Sequence, residues 1–252
     1  MSQECRQIYS DADALAKAAA VDLLRLAQQS VAERGIFILA LAGGSTPKKL
    51  YSLLATDSEF REFPWDKTHL FFGDERHVPP THIDSNYLMV GGTLLASGLV
   101  PAAHVHRVRA ELPDANAAAA DYEVELHTFF TPALRCNSFP RFDVILLGMG
   151  PDGHTASLFP GSKGLEEKER WVVANWVEKF KSARITFTFP VLNAARTVIL
   201  LVAGADKADM IHEVLGADPG EIIYPVRQVR PLDGAKIWLL DRAAAARLPQ
   251  PL

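Results

Sequence analysis

Proton-transfer chemistry is most clearly indicated by a glycine-rich segment in the middle of the chain. Asp152 and His154 lie among Gly148, Gly150 and Gly153, directly after an apolar run. A carboxylate and an imidazole are well suited to orient and transfer protons near neutral pH. Residues without a Cβ let a ligand approach the main chain closely. The segment therefore predicts an acid–base site, with a glycine-rich turn and a solvated histidine as the simpler alternative.

A second turn has the composition of a phosphate-binding site. Gly43, Gly44, Ser45 and Thr46 follow an apolar run and precede Pro47. Thr46 is predicted to cap a helix whose first residue is Pro47. Free N–H groups, two hydroxyls and the helix dipole would then converge on one point. The Gly-Lys-Ser/Thr ending of a Walker loop is missing, and an ordinary strand–helix turn is the alternative.

Two further turns bring charged side chains to the ends of predicted strands. Asp74 and Arg76 follow the strand predicted at 68–72, and Lys207 follows the strand predicted at 197–203. In open α/β folds, residues at the carboxyl ends of strands face a common crevice. The alternatives are a solvated loop with a surface ion pair and a solvated lysine.

Strand and helix patterns alternate along the chain. We expect an α/β fold with a mostly parallel sheet and helices on both faces. No linker-like tract divides residues 1–252, so one domain is expected. A long helix is predicted between a cap at Ser10 or Asp11 and Gly35. The other predicted strands are 7–9, 36–42, 105–108, 144–147, 171–177, 184–189 and 236–240, and the other predicted helices are 87–96, 113–130, 190–195, 207–215 and an alanine-rich helix after Asp241.

Composition excludes several classes of protein. The formal charge is −4 without a basic run, so a nucleic-acid partner is not expected. The apolar runs are too short to span a bilayer, and the first residues do not have the pattern of a signal peptide. Cys5 and Cys136 are the two cysteines and lie in no metal-ligand spacing, which favours a reduced, cytoplasmic setting without a bound metal. Gly-x-Ser-x-Gly is absent, so a serine esterase is not expected.

Four segments together resemble the 6-phosphogluconolactonase family. They are 41–47, 73–79 continued by 82–87, 148–161, and Arg184-Ile-Thr followed by Pro190-x-Leu192-Asn193. The resemblance covers nearly the whole chain. It implies the sugar-isomerase-like α/β fold shared with glucosamine-6-phosphate deaminases, and hydrolysis of 6-phospho-D-glucono-1,5-lactone without a cofactor. Lys181-Ser182-Ala183 departs from the proline-rich segment expected before Arg184.

The chemistry of a lactone then suggests a role for each residue. Neutral His154 would take a proton from the water that attacks C1, and Arg76 with N–H groups of the glycine loop would stabilise the oxyanion. Asp152 or Asp74 would orient His154 or a sugar hydroxyl, and the sequence does not choose between them. The phosphate is expected on the turn of residues 43–46, with Arg184 and Lys207 as counter-charges.

Two other functions fit parts of this pattern. A glucosamine-6-phosphate deaminase or aldose–ketose isomerase shares the Asp-Gly-His core, but Phe159-Pro160 stands where a Glu-Pro is expected for ring opening. A non-catalytic sugar-phosphate sensor would carry a helix-turn-helix and a basic face, and neither is visible. The expected partner is therefore a small sugar-phosphate lactone, with no obligate protein partner and no membrane.

Overall fold

A seven-stranded parallel sheet forms the centre of the protein. The computed structural model describes residues 3–131, 139–216 and 223–248. The strands of this sheet are β1 (Gln3–Tyr9), β2 (Phe37–Leu41), β3 (Thr68–Phe72), β5 (Val105–His106), β6 (Val144–Leu147), β9 (Thr197–Val202) and β10 (Ala235–Asp241). Their spatial order is β1-β10-β9-β6-β2-β3-β5. The predicted fold class, a mostly parallel α/β sheet, is confirmed.

The central strands form because their residues are apolar without alternation. All four residues of β6 and all six of β9 are buried. Uninterrupted Val, Ile and Leu are typical of parallel strands that are covered on both faces. The strands predicted at 68–72 and 144–147 are confirmed at the same bounds.

Within the described part of the chain, six α-helices surround the strands. They are α1 (Ala12–Arg34), α2 (Ser45–Thr56), α3 (Asn86–Gly91), α4 (Ala115–Phe130), α5 (Phe189–Ala194) and α6 (Ala208–Leu215). The Asp11 carboxylate accepts hydrogen bonds from the N–H groups of Asp13 and Ala14, and Gly35 ends the helix with φ of 76°. The caps predicted for α1 are confirmed. Among the described residues, no helix combines the length and the apolar character needed to cross a bilayer.

Helices α2 and α3 do not have the predicted bounds, and the helix predicted after Asp241 is not found among the described residues. Helix α2 begins at Ser45 with Gly44 as its N-cap, so Thr46 lies inside the first turn. Gly44 has φ of 105°, a conformation that a residue with a Cβ rarely adopts, and this glycine reverses the chain earlier than expected. Helix α3 ends at Gly91 because two consecutive glycines disfavour helix. Residues 242–247 form turns instead of the predicted closing helix.

A second sheet of three antiparallel strands packs beside the first. It contains β4 (Asp74–Arg76), β7 (Val172–Val177) and β8 (Ser182–Phe187) in the order β4-β8-β7. The two later segments were predicted as strands, whereas residues 74–76 were predicted as a loop. A three-residue strand is too short to show periodicity, so only its pairing with β8 reveals it.

Helix α4 joins the two sheets. It contacts β7 and β8. Its Tyr122 hydroxyl also donates to the carbonyl of Phe72 at 3.1 Å and accepts from the N–H of that residue at 2.8 Å. Phe72 is the last residue of β3, so α4 holds the small sheet next to the carboxyl ends of the parallel strands.

Candidate active site

The turns that follow β2, β3, β6 and β9 enclose one pocket of about 250 Å³. Ligand sites for drug-sized molecules are roughly 300 to 1,000 Å³, so this pocket suits a smaller ligand such as a monosaccharide phosphate. It lies at the carboxyl ends of the strands, as expected for an open α/β sheet. Its lining includes Gly43, Gly44, Asp74, Arg76, Asn86, Gly150, His154 and Lys207.

A carboxylate–imidazole pair stands on the glycine loop after β6. The Oδ1 atom of Asp152 lies 2.5 Å from Nδ1 of His154 and accepts the N–H of the same histidine at 3.3 Å. The His154 ring stacks on Phe159, with 3.9 Å between ring centroids. Among the described residues, Nε2 of His154 has no hydrogen-bond partner. The ring is therefore held on one edge and one face, and Nε2 is left as the proton acceptor.

Glycine is required beside this pair for steric reasons. A Cβ on Gly150 would overlap Nδ1 of His154 and crowd Oδ1 of Asp152. Gly153 has φ of 73°, and a Cβ there would lie 2.7 Å from Tyr224. The glycines therefore make room for the pair and turn the chain between its two members.

Burial and charge act in opposite directions on the pair. Burial lowers the pKa of His154 below its ordinary value, and the Asp152 carboxylate opposes the shift without cancelling it. Burial alone would raise the pKa of Asp152, but His154 and Lys179 outweigh this and lower it. The pair at neutral pH is consequently a carboxylate beside a neutral imidazole, which is the state a general base requires.

Asp74 has a different partner. Its Oδ2 atom accepts a hydrogen bond of 2.6 Å from the Ser157 hydroxyl. Asp152, and not Asp74, makes the hydrogen bond to Nδ1 of His154. Asp74 lines the pocket and is therefore placed to accept a hydrogen bond from a ligand hydroxyl.

Two arginines stand side by side on the small sheet. Arg76 of β4 is the register partner of Arg184 of β8. An Arg76 N–H donates to the carbonyl oxygen of Asp84. The Nε of Arg184 is buried with no partner among the described residues, and Phe180 lies under its guanidinium at 5.2 Å. Burial, followed by repulsion from Arg76, lowers the pKa of Arg184. Arg76 lines the pocket, whereas Arg184 does not.

The phosphate-type turn contributes backbone more than side chains. Gly43 and Gly44 line the pocket, whereas Ser45 is exposed and neither Ser45 nor Thr46 is part of the lining. Lys207 reaches the same pocket from the turn after β9, and its Nζ lies 2.7 Å from the Asp206 carboxylate. The N-cap of α2 and Lys207 are thus two groups of this pocket that can attract an anion.

Sequence reasoning missed three residues of this region. Asn86, which was not among the predicted site residues, lines the pocket, and its amide donates to the carbonyl of Asp74 at 2.9 Å. Ser157 binds Asp74, and Lys179 binds Asp152 at 3.3 Å. Asn86 and Ser157 lie inside the segments that suggested the family, which was the available signal. Lys179 lies in none of them. Within the described ranges, no group of three or more His, Cys, Asp or Glu side chains is arranged to hold a metal ion.

Comparison with known proteins agrees with this fold. The family model described as "Glucosamine-6-phosphate isomerases/6-phosphogluconolactonase" matches residues 10–238. A 6-phosphogluconolactonase of Nostoc sp. is 43% identical over 219 residues, which is 87% of this chain and 88% of the relative. The structure of 6-phosphogluconolactonase from Trypanosoma cruzi has a TM-score of 0.85 at 30% identity, covering 99% of both chains. That of Trypanosoma brucei also has a TM-score of 0.85, at 29% identity, covering 99% of this chain and 100% of the other.

The fold and the pocket define an α/β protein that presents a carboxylate–imidazole pair and the start of a helix at one edge of a parallel sheet. The chain belongs to the glucosamine-6-phosphate isomerase/6-phosphogluconolactonase family.

Proposed function

We propose that this protein hydrolyses 6-phospho-D-glucono-1,5-lactone to 6-phospho-D-gluconate. One observation carries the proposal: His154, which is hydrogen-bonded to Asp152, lines the same pocket as Gly43, Gly44 and Lys207. A sugar-phosphate lactone needs a base at one end of its site and an anion site at the other. The similarity to 6-phosphogluconolactonases over most of the chain supports the same substrate.

The first step is attack of water on the C1 carbonyl. Nε2 of His154 takes one proton from the water as its oxygen bonds to C1, and Asp152 stabilises the imidazolium that forms. The C1 oxygen gains negative charge and needs donors that are already in place. Arg76 and the N–H groups of the glycine loop are those donors, each typically worth about 3 kcal/mol of barrier.

The second step opens the ring. The C1–O5 bond breaks as the C1 carbonyl re-forms, and His154 returns its proton to O5, which becomes the C5 hydroxyl. The product carboxylic acid loses its proton to solvent. No atom changes its oxidation state in these two steps, so no redox partner is needed.

The phosphate is assigned to the opposite end of the pocket. The start of α2 leaves N–H groups free beside Gly44, which lines the pocket, and the helix dipole adds partial positive charge there. Lys207, paired with the Asp206 carboxylate at 2.7 Å, brings an ammonium group there, and Arg184, the register partner of Arg76, acts as a more distant counter-charge. Ser45 and Thr46 of the same turn are also assigned to phosphate binding. Neither residue lines the pocket, so their hydroxyls would contact the phosphate only after the turn moves toward it.

The rival activity is deamination or isomerisation of glucosamine 6-phosphate. Ring opening by that route needs a further carboxylate near the histidine. The residue that stacks on His154 is Phe159, which cannot transfer a proton. This contact favours the lactonase over the deaminase.

A direct assay tests the assignment. Lactone hydrolysis is followed above the spontaneous background for the wild type and for His154→Ala, with ammonia release from glucosamine 6-phosphate as the control reaction. We expect acceleration by the wild type, a loss of roughly 100-fold or more in kcat for the variant, and no ammonia. Equal rates in the two proteins would refute the role of His154. An absence of acceleration by the wild type would refute the function.

We further infer that residues 1–252 act as one catalytic domain, since both sheets contribute to one pocket. The proposed partner is the small-molecule substrate, with no obligate protein partner, no nucleic acid, no membrane and no cofactor. The cytoplasm is the proposed compartment, supported by the free thiol of Cys5.

A further inference from the structure

Glu75 is a buried carboxylate that the mechanism above does not use. It stands in β4 between Asp74 and Arg76, both of which line the pocket. Its side chain is only 2% exposed and does not line the pocket itself. A buried acid of this kind is costly unless its oxygens are well bonded.

Four hydrogen bonds compensate for the burial of this carboxylate. Oε1 accepts the N–H groups of Arg76 at 2.7 Å and Asn86 at 2.8 Å. Oε2 accepts the N–H of Tyr87 at 2.8 Å and the hydroxyl of Ser85 at 3.1 Å. Burial raises the pKa of Glu75, and the backbone hydrogen bonds oppose that shift.

Only a carboxylate satisfies this set of partners. Three of the four partners are backbone N–H groups, which cannot accept a hydrogen bond. A glutamine would turn an NH₂ group toward at least one of them and leave that N–H unsatisfied. The requirement is therefore for two acceptor oxygens, and not merely for a side chain of this shape.

The segment that Glu75 holds touches the pocket at several points. The carbonyl of Asp84 accepts a hydrogen bond from Arg76, and the amide of Asn86 donates to the carbonyl of Asp74. The Asn86 side chain also occupies the space where a Cβ on Gly43 would lie. The Asn86 side chain therefore lies between β4 and the turn of residues 43–46, and it sets the distance between them.

We propose that Glu75 is a positioning residue for lactone hydrolysis. It fixes residues 84–87 so that the Asp84 carbonyl aligns the Arg76 guanidinium and Asn86 sets the distance between β4 and Gly43. This inference rests on the proposed function. Glu75 makes no contact with the substrate and acts through Arg76 and Asn86.

A double-mutant cycle on kcat/KM tests the proposal. We expect Glu75→Gln to lower kcat/KM roughly 10- to 100-fold, because one N–H is left unsatisfied and the segment shifts. Asn86→Ala should lower it roughly 10-fold. Because the two act through one arrangement, the double variant should fall within about 3-fold of Glu75→Gln alone. Effects that multiply, or a folded Glu75→Gln with the wild-type kcat/KM, would overturn the proposal.

Two controls separate positioning from a loss of stability. Asp143 is also a buried carboxylate, 6% exposed, and accepts the N–H of Ile38 at 2.9 Å at the start of β6, away from the pocket. Asp143→Asn should lower the unfolding temperature and keep the wild-type kcat/KM. In Glu75→Gln the acidic limb of the pH profile should stay in place, because the His154–Asp152 pair is untouched. A shift of the acidic limb in Glu75→Gln would contradict the proposal that Glu75 acts through Arg76 and Asn86.

If Glu75→Gln does not fold, Ser85→Ala replaces it in the cycle. That variant removes one of the four donors, and a decrease of about 3-fold that is not additive with Asn86→Ala is expected. Additive behaviour would count against the proposal. The wild type is assayed alongside: failure of the wild type to hydrolyse the lactone refutes the proposed function, whereas an active wild type with unaffected variants refutes only the role of Glu75.

Discussion

The Nζ atom of Lys179 lies 3.3 Å from Oδ2 of Asp152, while Oδ1 of the same carboxylate lies 2.5 Å from Nδ1 of His154. One carboxylate therefore bridges a lysine and the imidazole. Oδ2 of Asp152 is engaged by Lys179, and Oδ1 is the oxygen that binds the His154 ring. Lys179 and Asp152 also line a neighbouring cavity, which His154 does not reach.

Replacing Asp152 should change both the rate and the pH profile. In Asp152→Asn the amide no longer holds the proton on Nδ1, so kcat should fall roughly 100-fold or more. Burial lowers the pKa of His154 and Asp152 opposes this, so without the carboxylate the pKa falls further. The acidic limb of kcat/KM, where His154 becomes protonated, should therefore move to lower pH. A limb that moves to higher pH would contradict the assignment of His154 as the base.

Replacing Lys179 should move the same limb in the opposite direction. The Lys179 charge lowers the pKa of His154, so Lys179→Met should raise that pKa and shift the acidic limb upward. The lysine is about half exposed, so kcat/KM at the optimum should fall only about 2- to 5-fold. Lys163→Met is the matched control, since Lys163 lines the same neighbouring cavity and should leave the profile unchanged. Equal profiles for Lys179→Met and the wild type would exclude this electrostatic link.

A single methyl group should disable the base. In Gly150→Ala the new Cβ would overlap the His154 ring, so the pair must move and kcat should fall roughly 100-fold. Gly91→Ala is the control: a Cβ there meets no atom within 4 Å, and alanine favours helix. That variant should keep the wild-type rate. Full activity in Gly150→Ala would show that the pair does not need its observed position.

A buried lysine far from the chemistry should control stability at high pH. Lys236 is 5% exposed, and burial lowers its pKa from 10.5 to about 8. Between these two values the unfolded chain keeps a proton that the folded chain has released, so stability should rise with pH across this window. Below pH 8 the folded protein carries the buried charge at a cost.

Lys236→Met should remove that cost. We expect the variant to be more stable at pH 7 by about 2 kcal/mol, with the difference shrinking toward pH 10.5. Urea unfolding at several pH values measures both quantities. Lower stability of the variant at pH 7 would mean that the contact of Lys236 with Trp238, at 4.9 Å, outweighs the cost of burial.

Much of the site could be predicted from local patterns. Apolar runs marked the parallel strands, and the residues directly after them had to lie at one edge of the sheet. Gly43, Asp74, His154 and Lys207 were placed in one crevice on that basis, and they line one pocket. The motifs also carried enough information to suggest the family.

Pairing between distant residues could not be predicted in the same way. The sequence left Asp74 and Asp152 as equal candidates for the partner of His154, and it showed neither the contact of Arg184 with Phe180 nor the strand at 74–76. Asp74 binds Ser157, which is 83 positions away, because β4 joins β8 and the glycine loop folds over both.

The sequence by itself therefore determined which turns meet at the edge of the sheet, because apolar runs and the residues that follow them are local properties. Only the tertiary structure decided which carboxylate binds which partner. A hydrogen bond depends on distances of a few tenths of an ångström, and packing of the whole chain sets those distances.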